Sequence, residues 1–260
     1  MDKKSEFDPL LSEATYIAER ASQIALSYFR QSALLIEMKE NMTPVTIADK
    51  KTEEYIREAL GKSFPAHSIL GEEFGQDRKD SEFMWTVDPI DGTRSFIRGI
   101  PLFGTLIGLL RDKEPVLGVM VLPGLGETYT SAKHGGSYCN GVPLHTSPIH
   151  DLSSAMISCG DFYTFEDTER TDYLASLMKR AHLVRSYTDC FGHSLVLRGS
   201  LDAMIDPVVS TWDIVPIASL VGEAGGEFFN FEGSEDLFQT SFISCAPGLR
   251  EELLNLSCLS

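Results

Sequence analysis

Trp85-Thr86-Val87-Asp88-Pro89-Ile90-Asp91-Gly92-Thr93-Arg94-Ser95-Phe96 (85–96) is the stretch from which the rest of this chain is best read. An apolar run delivers Asp88 to the end of a strand expected over 83–88. Pro89 fixes one φ angle and Gly92 permits a sharp bend, so Asp88 and Asp91 turn toward the same side. Thr93 follows at the start of a short helix, where free backbone N–H groups suit a phosphate. A bare Asp-Gly pair is usually no more than an acidic turn. Two acids, a proline, a glycine and a threonine within six positions outweigh that bland reading.

Upstream, Phe7, Leu10, Leu11, Ala14, Ile17, Ala18, Ala21, Ile24, Ala25 and Tyr28 recur at three- and four-residue steps. They predict a long amphipathic helix. Residues 36–45 contain turn formers and Pro44 and predict a strand or loop hairpin. A second helix is expected from about Ile47 to Leu60, stopped by Gly61 with Pro65 beyond. Its face of Lys50, Lys51, Glu53, Glu54 and Arg57 reads as solvated, laced with i, i+4 charge pairs. Short β-like runs at 68–71, 83–88, 103–110, 116–122 and 127–131 follow, with glycine-rich connections among the later ones that suggest antiparallel hairpins. Asn140-Gly141 reads as one more hairpin turn.

Beyond residue 150 the rhythm changes. Strands expected at 155–159, 183–187, 203–206, 227–231 and 241–245 alternate with helices at about 166–181, 193–197 and 211–224, and a final helix closes the chain. Such alternation is the mark of an α/β fold. Neither an internal repeat nor a linker interrupts it. Residues 1–260 therefore read as one domain with two subdomains, α+β over 1–150 and α/β over 151–260.

Of the 260 residues, 43% are hydrophobic and 23% charged, as expected for a soluble globular protein rather than a disordered one. A net charge of −16 argues against nucleic acid or an anionic membrane as a partner. An anionic substrate would then need local cations or bound metal. The longest apolar run, Ile100 to Leu110, is too short to cross a bilayer, and the acidic start lacks the apolar stretch of a secretory signal. Five scattered cysteines without C-x-x-C spacing read as reduced thiols of a cytoplasmic enzyme.

Further acids stand where one element meets another. Glu72 and Glu73 follow Ile69-Leu70-Gly71, Asp213 precedes an apolar helical run, and Asp49 lies in Thr46-Ile47-Ala48-Asp49. Each alone reads as a solvated turn or a first-turn helix acid. Gathered without cations, they would repel one another strongly. Oxygen donors with no His or Cys among them suit Mg²⁺, a hard ion that keeps some of its waters.

The segments G-E-E-F (71–74), 85–96 and T-W-D-I-V-P-I-A-S-L-V-G-E-A-G-G (211–226) resemble the inositol monophosphatase family of Mg²⁺-dependent, lithium-sensitive phosphomonoesterases. T-P-V-T-I-A-D (43–49) matches a fourth family segment, and the likeness runs in order over nearly the whole chain. The resemblance implies a layered αβαβα sandwich, a homodimer, a small phosphorylated metabolite as substrate and two or three Mg²⁺ ions per active site. It implies that Glu72, Asp88, Asp91 and the Ile90 carbonyl hold the first metals, that Asp213 completes the second site, and that Asp49 lies beside a third ion. Gly92 and Thr93 would present N–H groups to phosphate. Thr93 and Glu72 would orient the attacking water. Lys39 matches a basic residue of the family's mobile early loop, with a solvated lysine as the other reading.

The segment Arg185-Ser186-Tyr187-Thr188-Asp189-Cys190-Phe191-Gly192-His193, followed by Asp206-Pro207-Val208-Val209-Ser210, looks more like the histidinol-phosphate phosphatases of that family than its inositol phosphatases. Histidinol phosphate carries an ammonium and an imidazole, so Asp189 and Asp206 suit its cationic end. The other reading makes Asp189 a helix cap and Asp206 a strand end. Arg185 either contacts substrate or buttresses Asp189. His193 reads as a structural residue, since metal activation of water removes the need for a catalytic base.

Overall fold

A computed structural model describes residues 5–31, 36–38 and 44–258, with the side chains of 257 and 258 left aside. Its helices are α1 (Asp8–Tyr28), α2 (Ile47–Ser63), α3 (Thr93–Ile97), α4 (Phe162–Asp167), α5 (Thr171–Arg180), α6 (Asp189–Leu197), α7 (Thr211–Glu223) and α8 (Arg250–Leu254). The first strands are β1 (Ile36–Met38), β2 (Pro44–Thr46), β3 (Ser68–Gly71), β4 (Gly75–Asp77) and β5 (Phe83–Asp91). Then come β6 (Gly104–Arg111), β7 (Glu114–Leu122), β8 (Glu127–Ala132), β9 (Gly136–Cys139) and β10 (Val142–Pro143). β11 (Met156–Cys159), β12 (Leu183–Arg185), β13 (Ala203–Asp206), β14 (Glu227–Phe229) and β15 (Phe242–Cys245) complete the set.

β1 and β2 form a small antiparallel ribbon, as 36–45 led us to expect. The eight-stranded sheet has the order β10-β9-β8-β7-β6-β5-β3-β4. From β5 to β10 it is an antiparallel meander, and β3 alone pairs in parallel with β5. The β9–β10 link is the two-residue Asn140-Gly141 turn, both residues at positive φ, which is how a tight hairpin matches strand twist. The five-stranded sheet, β12-β11-β13-β15-β14, is mixed: its first three strands are parallel and the rest antiparallel.

Alternation along the central strands sorts the core into layers. On β7, Val119 and Val121 point to the α1/α2 side, against Ile17, Ala18, Ile56 and Leu60. Met120 and Leu122 point the other way, to α6 and α7, where Leu197, Val215, Leu220 and Val221 are buried. That middle cluster includes Phe242 of the five-stranded sheet, so residues from both halves share it. The outer face of the second sheet packs Ile157, Ile205 and Ile243 against Phe165, Tyr173, Leu177 and Leu253 of α4, α5 and α8. The result is the expected αβαβα sandwich.

Local departures from expectation have physical causes. α2 continues through Gly61 to Ser63: buried Ile56 and Leu60 anchor its last turns, and the Phe64 N–H still reaches the Leu60 carbonyl at 2.7 Å. The roughly 1 kcal/mol cost of a helical glycine is small beside that packing. The helix expected over 166–181 is two, α4 and α5, separated where Glu169 takes a φ of +58°. That break lets Phe165 and Tyr173 reach the same cluster. α6 starts at Asp189, earlier than expected.

Candidate active site

The two sheets present their strand ends to one cleft of about 360 Å³. β3 and β5 are parallel neighbours; Glu72 directly follows β3, and β5 ends at Asp91. β11 and β13 are also parallel; Gly160 directly follows β11, and β13 ends at Asp206. The starts of α3, α6 and α7 face the same space.

β5 is where the local sequence matters most. Its pairing with β6 is interrupted between Asp88 and Asp91. Within the break, Asp88 Oδ1 accepts the Ile90 N–H at 2.9 Å, and the Pro89 carbonyl accepts the Thr105 hydroxyl at 2.9 Å. Gly92 follows at φ +83° and caps α3, with Thr93 as its first residue. A Cβ at Gly92 would crowd the Leu102 carbonyl at 3.0 Å. The Thr93 hydroxyl lies 3.0 Å from the Ile90 carbonyl and 3.4 Å from Asp49 Oδ1.

Asp49 and Asp213 occupy equivalent places, the third residue of α2 and of α7. Asp49 Oδ2 accepts the Thr46 N–H at 2.8 Å and its hydroxyl at 2.6 Å. Asp213 Oδ2 accepts the Ser210 N–H at 2.9 Å. Its other oxygen is buried, with no donor to it except a protonated Asp88 carboxyl. Asp91 accepts the N–H of Cys190, which ties β5 to α6. One carboxylate oxygen from each of Asp88, Asp91 and Asp213 lies within 4.8 Å of the others. Glu72, whose N–H donates to the Val87 carbonyl at 3.1 Å, lines the same cleft.

Burial sets the electrostatics. It pushes Asp91 and Asp213 up to about 7; the Asp213 carboxylate adds to the shift at Asp91, while at Asp213 a hydrogen bond from the Asp88 carboxyl opposes the rise and Glu72 adds to it. Asp88 is raised well above the usual range by burial and then by Glu72, Asp213 and Asp91. Asp49 is raised by burial, with its Thr46 hydrogen bonds opposing. Arg94 is the single basic side chain among the described residues that line the cleft. Oxygen donors that repel one another, one of them orphaned once Asp88 is ionised, fit a hard divalent cation.

Asp189 and Asp206 also line this cleft. Asp189 opens α6 at φ +59°, accepts the Thr188 hydroxyl at 2.8 Å and is raised by burial and by Asp91. Asp206 Oδ2 lies 2.9 Å from His193 Nε2, and His193 Nδ1 lies 2.8 Å from the Ser244 hydroxyl. A Cβ at Gly160 would collide with the other Asp206 oxygen. Arg185 is not brought to the cleft: it is exposed at the end of β12, the edge strand, and residues 186–188 carry the chain back to Asp189. Lys39 lies outside the described residues.

Several cleft residues escaped the sequence reading. Arg94 stacks its guanidinium 5.5 Å from the centre of the Tyr163 ring, and Asp161 and Trp212 complete the wall. Arg94 and Trp212 stood inside the quoted motifs, so a signal existed. Glu53, taken as solvated, is fully buried. It is four residues from Asp49, which places both on one face of α2.

Residues 6–258 match the sequence model of the inositol monophosphatase family. The chain is 36% identical over 229 residues to a histidinol-phosphatase of Chlorobaculum parvum, covering 88% of each. It is 33% identical over 250 residues to a histidinol-phosphatase of Streptomyces coelicolor, covering 93% of this chain and 94% of that one. A solved structure of an inositol monophosphatase from Zymomonas mobilis has the same fold, with a TM-score of 0.88 at 28% identity, covering 98% of this chain and 100% of that one.

Proposed function

The chain belongs to the inositol monophosphatase family of phosphatases, and on that premise we propose that it is a Mg²⁺-dependent phosphomonoesterase acting on histidinol phosphate. The observation that carries the reading is the convergence of Asp88, Asp91 and Asp213 oxygens within 4.8 Å, beside the Gly92–Thr93 turn. Glu72, Asp88, the Ile90 carbonyl, Asp91 and Asp213 would hold the metals, with Asp49 beside a further ion. Bound Mg²⁺ would supply the positive charge a phosphate needs in a chain of net charge −16, and Lewis acidity toward water and the leaving oxygen.

The chain's own groups do the positioning. The N–H groups of Gly92 and Thr93 are offered to the nonbridging phosphate oxygens, where charge accumulates as the ester breaks. When the Thr93 hydroxyl donates to the Ile90 carbonyl at 3.0 Å, its oxygen is left to accept from a water. That water, held on its other side by Glu72, keeps a lone pair for phosphorus. Hydrolysis is then a single displacement with no phosphorylated side chain.

Asp189, whose carboxylate stands beside Gly92, and Asp206 line the same cleft and would offer negative charge to an ammonium or imidazolium. His193, 2.9 Å from Asp206 through Nε2 and 2.8 Å from the Ser244 hydroxyl through Nδ1, keeps that carboxylate in place. Charged hydrogen bonds of this kind contribute about 1.5–3 kcal/mol, roughly a ten- to hundredfold preference over a neutral ester. The two histidinol-phosphatase relatives support this substrate. The likeness to the Zymomonas inositol monophosphatase favours a polyol phosphate as the second reading. A homodimer belongs to the proposal as the family resemblance implies it, and a cytoplasmic setting as the scattered cysteines suggest it.

Phosphate release from histidinol phosphate and from inositol 1-phosphate, each with Mg²⁺ and with EDTA, tests the reading. We expect kcat/KM at least about tenfold higher for histidinol phosphate, and loss of both activities in EDTA. Preference for the inositol ester overturns the substrate. Activity that survives thorough chelation overturns the metal.

A further inference from the structure

Asp49, Glu53 and Arg57 lie four residues apart on α2 and share one stripe of the helix. The Glu53 carboxylate accepts the Glu73 N–H at 2.7 Å, the Phe74 N–H at 3.2 Å and Arg57 Nε at 2.7 Å. Arg57 goes on to donate to the Gly75 carbonyl and lies 5.9 Å from the centre of the Phe74 ring. Gly71 closes the packing, since a Cβ there would collide with Glu53 Oε1. On the opposite side of this loop, the Glu72 N–H is held by the Val87 carbonyl of β5. Residues 71–75 are thus clamped from α2 and from β5, and Glu72 sits between the two clamps. Nothing in the proposed hydrolysis uses Glu53 itself.

We propose that Glu53, braced by Arg57, is a positioning residue that aims Glu72 into the cleft and couples it to Asp49 through the shared helix. The inference rests on Glu72 being a metal ligand, as in the reading above. A carboxylate that orders the loop without serving Glu72 would affect stability alone. One that acts through Glu72 must also change how the chain binds Mg²⁺.

Calorimetric titration of Mg²⁺ into the full chain, with thermal unfolding in EDTA beside it, separates these roles. Glu53→Gln keeps the shape but presents an amide to N–H donors and deprives Arg57 of its carboxylate. We expect it to weaken Mg²⁺ binding about 10- to 100-fold, as loss of a partner behind a metal ligand does. Glu72→Gln should weaken it at least as much. The double variant should be no worse than Glu72→Gln, because two residues acting through one atom do not add. Additive losses overturn the proposal, as does a Glu53→Gln protein that unfolds at a lower temperature yet binds Mg²⁺ like the parent. If Glu53→Gln does not fold, Arg57→Lys, which keeps the charge but loses the second contact to Gly75, is titrated instead. Weaker Mg²⁺ binding by that variant supports the proposal and unchanged binding overturns it. A Glu72→Gln chain that binds Mg²⁺ as the parent does, in a parent that binds it well, refutes the Glu72 assignment and the positioning role with it.

Discussion

Asp213 keeps one oxygen on the Ser210 N–H and leaves the other buried, with no donor to it once Asp88 is ionised. A buried acceptor stranded in this way costs roughly 1–3 kcal/mol, and Glu72 adds repulsion to it. The residue therefore works against the metal-free fold. Asp213→Asn removes the charge while its remaining oxygen can still cap Ser210. In EDTA at pH 8 the variant should unfold at the same temperature as the parent or above it. Turnover with Mg²⁺ should nonetheless drop at least about 100-fold, the upper end of what loss of support for a metal site costs. Calorimetry and phosphate release on the same samples decide it. A lower unfolding temperature combined with retained turnover would make Asp213 an ordinary helix-capping acid.

Elements bring these residues together, and the fit of α7 against the large sheet shows how narrow the tolerance is. Gly108 of β6 and Gly118 of β7 are directly paired. A Cβ at Gly118 would run into the Pro216 carbonyl, and one at Gly108 would crowd Thr86, Val215 and Pro216. The two glycines form a notch for the middle of α7, the helix whose first turn carries Asp213. Gly118→Ala should destabilise the protein by about 1–3 kcal/mol, as overpacking does, and lower kcat as the helix is pushed outward. Denaturant titration and kinetics measure both, and an unchanged midpoint would mean that α7 yields freely. The notch was not legible in the sequence, because a glycine in a strand does not reveal what crosses it. Periodic signals were legible: α1, β6, β7 and α7 stand close to where their patterns placed them. Asp88 and Asp91 stood out by their motif, whereas Glu72 and Asp213 read alone as a turn acid and a first-turn helix acid and were singled out only by the family resemblance; the structure brings all four to one cleft. Glu53 was misread because its covering loop, 71–75, returns about twenty residues later and leaves no mark on the helical period. Arg185 was misplaced for a similar reason, since proximity along the chain to Asp189 does not survive the end of an edge strand.

For the whole molecule, a net charge of −16 and a cleft lined by raised carboxylates make stability depend on pH and, under the proposed function, on Mg²⁺ as well. Asp91 and Asp213 hold their protons up to about 7 in the folded chain, against 3.8 as the ordinary value. The folded state thus binds protons more tightly at these groups. Their contribution to stability is whole below about pH 4 and is lost as pH climbs through 7. The exposed acids whose pKa is lowered, Glu58, Glu114 and Asp151, act in the opposite direction but are screened by solvent and count for little. Metal-free protein should therefore unfold at progressively lower temperature from pH 5 to pH 8. Mg²⁺ requires the ionised carboxylates, so its stabilisation should grow over that same interval. At a hundred times its dissociation constant, a ligand contributes about 2.7 kcal/mol, which for a chain of this size is a shift of about 5–10 °C. Scanning calorimetry with Mg²⁺ and with EDTA should show a small gap at pH 5 that opens to this range by pH 8. A gap that stays constant, or narrows as pH rises, would mean that the cation is not held by these acids.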